Sequence, residues 1–156
     1  MMKKLLTFFL TALLAFSVGW AENIYVKVES TSQLEVGKTY IIVYENNNSS
    51  ACMGSISNKV GSAIQNMALN NKTIDIEGRN VLELTLGGSS NAWTFHTGTG
   101  YLASTGDKNI SVRTTVDEYS KWTVTDNFTL VLTQNAGRKL QYNSANPRFT
   151  TYSSAQ

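Results

Sequence analysis

One cysteine, one histidine and one proline stand among 156 residues, and each scarcity closes off a class of explanation. A lone cysteine, Cys52, cannot form an internal disulfide, so stability has to come from apolar burial and backbone pairing. Its setting, Ala51-Cys52-Met53-Gly54, reads as that of a small buried hydrophobe. A lone histidine, His96, has no second histidine or cysteine at ligand spacing, which removes the usual zinc patterns. Nothing marks His96 and Cys52 as partners either, so a thiol–imidazole nucleophile is not indicated. Pro147, the single proline, lies just before the last apolar run, where it costs no ladder hydrogen bond.

Long apolar stretches are scarce too, with one exception at the start. Met1-Met2-Lys3-Lys4 is a positive leader, residues 5–18 are apolar, and Gly19-Trp20-Ala21 places small residues at −3 and −1 of a cleavage point. The apolar run is shorter than the roughly 18 to 20 residues that span a bilayer. Residues 1–21 are therefore read as a cleavable signal peptide, and residues 22–156 as a single exported domain, periplasmic or extracellular, with no membrane span after cleavage. No cysteine sits at the cleavage point, so lipid anchoring through the signal is not expected. Lys3 and Lys4 leave with the peptide, so the thirteen basic residues fall to eleven, equal to the eleven acidic ones. A formally neutral domain lacks the basic surface on which nucleic-acid affinity rests.

What the remaining chain has in quantity is alternation. Runs rich in Val, Ile, Thr, Tyr, Phe and Trp, bounded by Gly, Asn, Ser and Asp, recur at 24–28, 39–45, 81–86, 92–97, 101–105, 110–114, 121–125, 128–134, 139–143 and 148–152. A period of two in short runs is the pattern of β-strands. Segments 46–50, 87–91, 98–100, 106–109 and 135–137 have the composition of hairpin turns. One short stretch, 62–69, carries Ile64, Met67 and Ala68 at helical spacing and is read as a helical turn.

The runs also repeat. Trp93-Thr94-Phe95-His96, turn, Tyr101-Leu102-Ala103-Ser104, turn, Ser111-Val112-Arg113-Thr114 aligns with Leu130-Val131-Leu132-Thr133, turn, residues 139–144, turn, Phe149-Thr150-Thr151-Tyr152. A more degenerate copy runs through Tyr40-Ile41-Ile42-Val43, Ala51-Cys52-Met53-Gly54-Ser55 and Gly61-Ser62-Ala63-Ile64. With leading strands at Ile24, Val81 and Trp122 the chain holds three four-stranded units, the first lengthened by an insertion at 65–80. The expected fold is all-β, a small closed barrel of β-trefoil-like pattern, with an irregular β-sandwich as the alternative. Closure removes exposed strand edges.

The same residues resemble a known family. Ile24-Tyr25-Val26-Lys27-Val28, Leu34 and Gly37-Lys38-Thr39-Tyr40-Ile41-Ile42-Val43-Tyr44-Glu45 resemble the opening of an uncharacterised β domain of secreted proteins of Gram-negative gut anaerobes. Lys139-Leu140-Gln141-Tyr142-Asn143-Ser144, with Asn146-Pro147-Arg148-Phe149-Thr150-Thr151-Tyr152-Ser153-Ser154, is similar to that family's closing signature, LRFNS…RFRYYKSS. The family occurs alone or beside hydrolase and immunoglobulin-like domains, which implies an accessory role. It offers no active site to carry over. Its pattern continues to a final short strand, so truncation at the C-terminus is expected here.

Chemistry is nearly absent from the pattern. The carboxylates fall singly or, as Asp117-Glu118, alternate across a strand and do not converge. Asp75 and Glu77 share a face if extended, yet read as the flank of a solvated loop. Gly98-Thr99-Gly100 lacks the downstream helix and lysine of a phosphate loop. No catalytic residue, metal ligand or cofactor is therefore assigned, and the expected role is a non-catalytic binding module. Rigid hairpin turns carrying a ring for stacking and amides for sugar hydroxyls suit a glycan. That points to Tyr101 with Asp107 and Asn109, and to Tyr142 with Asn143, Asn146 and Arg148. A protein partner at the cell surface, bound in adhesin or inhibitor fashion, is the alternative. The leader reading has its own test: expressed in a Gram-negative host, the exported protein is expected to begin at Glu22 by N-terminal sequencing.

Overall fold

The computed structural model describes residues 13–17, 23–46 and 49–156. The rest of the expected leader, including its cleavage point, lies outside the described residues. The described chain is all-β, in fourteen strands: β1 (Leu13–Ser17), β2 (Ile24–Lys27), β3 (Thr39–Asn46), β4 (Ser49–Ser57), β5 (Val60–Met67), β6 (Thr73–Asp75), β7 (Leu84–Ser89), β8 (Ala92–His96), β9 (Tyr101–Gly106), β10 (Asn109–Arg113), β11 (Trp122–Val124), β12 (Leu130–Leu132), β13 (Asn135–Asn143) and β14 (Arg148–Tyr152). No described helix is long and apolar enough to cross a membrane.

Every pairing is antiparallel, and part of the sheet closes into a ring. Around the ring run β3, β7, β8, β11, β12, β13, β14, β5 and β4, and β4 pairs again with β3. Two pieces hang from it: β9 and β10 on β8, and β1, β2 and β6 on β3. Three hairpins, β4–β5, β9–β10 and β13–β14, follow β3, β8 and β12 in turn. In chain order the strands can be grouped as β2–β5, β7–β10 and β11–β14, with β6 between the first two groups.

Alternation explains which side chains go inward. On β3, Tyr40 and Ile42 join the main core, which draws on all three units through Leu84, Leu86, Phe95, Leu102, Ile110, Trp122, Leu130, Leu132, Leu140 and Phe149. Ile41 and Val43, one residue out of phase, face a second, smaller core with Tyr25, Cys52, Met67, Ile74 and Ile76. A strand with both faces buried reads as an unbroken apolar run, and 40–44 is one. The Trp122 indole has to satisfy its N–H on being buried, and it donates to the Leu102 carbonyl at 2.9 Å.

Two local expectations are corrected. Residues 62–69 do not form a helical turn, because β5 runs from Val60 to Met67. Its ladder with β4 shifts register twice, between Ser50 and Cys52 and between Met53 and Ile56. Such bulges break the period of two, and the residues left at spacings of three and four imitate a helix. Likewise 135–137 begin β13, and the turn falls at Thr133 and Gln134.

Cys52 is fully buried, and burial pushes its thiol up to about 12 from 9.0, with Arg79 opposing weakly. The unfolded chain then releases this proton at lower pH than the folded one. Stability should therefore fall as pH rises from about 9 to 12, by up to about 1.4 kcal/mol per pH unit from this group. Urea denaturation of the parent protein and Cys52→Ala across that range should show the extra slope in the parent alone. Dithionitrobenzoate should label the thiol only on unfolding.

Candidate functional site

Beneath Tyr101 lies an open trough built from the hairpin β7–β8. Three cross-strand pairs, Thr85 with His96, Gly87 with Thr94 and Ser89 with Ala92, lie on the same side of this ladder. All six line a cavity of about 570 Å³, together with Leu86, Gly88, Tyr101, Val116 and Lys121. The floor is low because glycine faces Thr94: a Cβ on Gly87 would sit 2.8 Å from the Thr94 hydroxyl. Gly88 adopts a φ of +79°, and a Cβ there would meet the Ala92 carbonyl at 2.2 Å, so the hairpin tolerates no side chain at that point.

One wall of the trough is aromatic and the other mixed. Tyr101 is half-buried and meets His96 edge to face, with centroids 4.9 Å apart. The imidazole is fixed in turn, because its Nδ1 accepts the Gly98 N–H at 3.1 Å. Val116, 44 % exposed, and the exposed Lys121 close the opposite side from the segment between β10 and β11. The arrangement offers a ring, hydroxyls from Thr85, Ser89 and Thr94, and a cation.

The residues expected to join Tyr101 do not do so. Tyr101 begins β9, whereas Asp107 and Asn109 lie beyond its far end, roughly 17 Å away at about 3.4 Å per strand residue. There Asp107 accepts the Ser153 N–H at 2.9 Å, and Asn109 donates to the Thr105 hydroxyl at 3.1 Å. With Lys108, whose N–H donates to the Thr151 carbonyl, they fasten the β9–β10 turn to β14. Their polar atoms hold the fold together rather than converge with Tyr101.

The second expected set is drawn inward. Tyr142 is buried, stacked on Tyr44 with centroids 4.4 Å apart and tilted against Phe149 at 5.1 Å. Burial, and then the neighbouring Tyr44 phenol, raise its hydroxyl above the usual tyrosine range. Asn143 donates to the Tyr152 hydroxyl at 3.2 Å and accepts the Asn146 N–H at 3.0 Å, while Arg148 donates to the same Tyr152 hydroxyl at 3.4 Å. The turn is thus internally bonded. Tyr142 does line a smaller pocket of about 190 Å³ with Tyr44, Ser50, Ala51, Gln65, Asn66 and Ser144. The Ser50 hydroxyl in it is buried with no hydrogen-bond partner, and a few polar partners and this volume suit ordered water.

Asp75 and Glu77, read from the sequence as the flank of a solvated loop, lie exposed beside a shallow cavity with Arg79 and Asn70. The Asp75 carboxylate accepts the Glu77 N–H at 2.9 Å, which is the local bond of a turn. Among the described residues no three His, Cys, Asp or Glu side chains come together as a metal site would need. No protein-family model matches the chain, and no curated protein or solved structure is significantly similar to it.

The two tyrosines should separate in their effects. Tyr142→Ala is expected to cost about 3–5 kcal/mol of stability, whereas Tyr101→Ala should cost about 1 kcal/mol. Chemical denaturation of the two variants measures both.

Proposed function

We propose that this chain is an exported, non-catalytic binding module of trefoil-like architecture, and that its ligand is a glycan received in the Tyr101 trough. The observation that supports the reading most is the ladder of small and hydroxyl-bearing residues, Thr85, Ser89 and Thr94, under a half-buried ring. Sugar rings present an apolar face and a rim of hydroxyls. Tyr101 stacks on the first, while the threonine and serine hydroxyls and the Lys121 ammonium bond the second. An open trough admits an internal segment of a chain as readily as an end, so a polysaccharide fits it better than a free monosaccharide. The pairing of β3, β8 and β12 with three similar hairpins supports the trefoil-like architecture.

Turnover has no visible basis in the trough. It is lined by no carboxylate that could pair with the His96 imidazole, whose Nδ1 accepts the Gly98 N–H, which supports binding over acid–base catalysis there.

The test is a polysaccharide array read with the exported protein, followed by titration calorimetry on any hit. Tyr101→Ala is expected to weaken binding tenfold or more, and Lys121→Ala by about threefold, with the fold unchanged by circular dichroism. Asp107→Ala and Asn109→Ala should leave affinity intact. Silence over a broad panel, or binding indifferent to Tyr101, would remove the glycan reading.

A further inference from the structure

The ladders that carry Tyr101 also run past it. Residues directly opposite each other on antiparallel strands project to the same face, and three such pairs join end to end: Thr85 with His96, His96 with Tyr101, and Tyr101 with Arg113. They make one transverse row over β7, β8, β9 and β10, about 14 Å long at about 4.8 Å per strand. Tyr101 stands inside this row, with the His96 imidazole on one flank of its ring and Arg113 on the other. The polar groups of the trough therefore continue past the ring to a guanidinium.

That guanidinium is held on two sides and open on a third. Its Nε pairs with Asp117 Oδ2 at 2.6 Å, and its Cζ lies over the Tyr119 ring, 5.4 Å from the centroid. Asp117 is fixed in turn. It caps the one-turn 3₁₀ helix Glu118–Ser120, its Oδ1 accepting the Tyr119 N–H at 3.0 Å while its own N–H donates to the Ser120 hydroxyl at 2.9 Å. Both oxygens of this carboxylate are thus engaged. The terminal Nη nitrogens of Arg113 make no hydrogen bond among the described residues, and the side chain is 39 % exposed. A planar fork is left facing outward beside the ring.

The ligand that suits this row is rich in acceptors. Because His96 Nδ1 accepts the Gly98 N–H, the proton of the neutral imidazole is assigned to Nε2, which makes the ring a donor. Lys121 adds an ammonium across the trough, and no carboxylate lines it. Glu118, the other acid of the segment between β10 and β11, is exposed. An arginine fork matches a carboxylate with two parallel bonds, a fit that a single sugar hydroxyl does not offer.

We propose that the polysaccharide received in the trough is a polyuronate, and that Arg113 grips the carboxylate of the sugar ring stacked on Tyr101. This rests on the glycan reading and names the substrate class of that site. Asp117 and Tyr119 are positioning residues: they hold the fork in place beforehand, so little side-chain freedom is lost when the carboxylate arrives. Lys121 supplies the second positive charge.

The experiment sets each acidic polymer against its own neutral twin. Polygalacturonate, alginate and hyaluronan, and the same polymers with their carboxyl groups reduced to alcohols, are titrated calorimetrically into the parent protein, Tyr101→Ala and Arg113→Lys. At least one polyuronate is expected to bind the parent, and its reduced twin to bind about tenfold more weakly or worse. Arg113→Lys keeps the charge and loses the fork. It should weaken binding of the acidic polymer about tenfold and leave the reduced twin nearly unaffected. The comparison of twins on the parent protein needs no variant, so it decides the matter even if Arg113→Lys loosens the turn. Sulfation of the reduced twin should recover only part of the affinity, and full recovery would overturn the carboxylate assignment. A reduced twin that binds as tightly as the acidic polymer, and does so through Tyr101, overturns the proposal and leaves the glycan reading standing. An undiminished preference for the acidic polymer in a folded Arg113→Lys overturns it too. Silence from every polymer, acidic and neutral, removes the glycan reading and the polyuronate with it.

Discussion

The short seam between β3 and β7 is the constraint on which the rest of this structure depends. Without it the nine-strand ring is an open sheet, and the main core loses the wall formed by Leu84 and Leu86. Two residue pairs make the seam, Thr39 with Thr85 and Tyr40 with Leu84. Two further bonds extend it, from the Gly37 N–H to the Leu86 carbonyl at 2.8 Å and from the Leu86 N–H to the Lys38 carbonyl at 2.9 Å. Gly37 reaches Leu86 with a φ of +85°, in the left-handed region where glycine alone is unstrained. With no disulfide available, backbone pairing at such joints and the burial they permit carry the fold.

The seam also places β3 between two cores. Because β3 is covered on both faces, its residues serve the ring and the outlying β2–β6 layer at once. That double use explains the fate of Cys52 as well. It pairs with Val43 across the β3–β4 ladder and therefore points into the same small core, where a charged sulfur would be costly. Burial makes the thiol inert, and the absence of a nearby base in the sequence is consistent with that.

Strands on the ring were legible because burial on one face imposes alternation. The run 148–152 matches β14 at both ends, and 39–45 misses only the last residue of β3. Legibility failed where the ladder is irregular, as in β5, or where a strand extends into solvent, as at Asn135, whose polar neighbours look like a turn. The candidate site failed for a different reason. Proximity in sequence favours Asp107 and Asn109 as partners of Tyr101, yet Tyr101 and Asp107 lie at opposite ends of the six-residue β9, and antiparallel pairing brings in Thr85, Thr94 and His96 from another hairpin instead. Alternation along 81–97 exposes a polar stripe, but only the register of β7 against β8 sets it beneath a ring.

The three units share a pairing scheme and differ in what their outer faces do, and that difference locates function within the repeat. In the third unit the equivalent ladder sets Thr123 against Val131 and Trp122 against Leu132. The Val131, Trp122 and Leu132 side chains are buried, and the Thr123 and Thr133 hydroxyls bond each other at 3.1 Å. In the second unit Gly87 and Gly88 occupy the matching strand, and missing side chains become a trough. The first unit departs again: the strand lying along β3 in the matching place is β1, and the insertion adds β6 to hold β2. A fold that needs all three units for one core can thus vary each unit's outside separately. Only substitutions that reach inward, such as one at Tyr142, are felt by the whole.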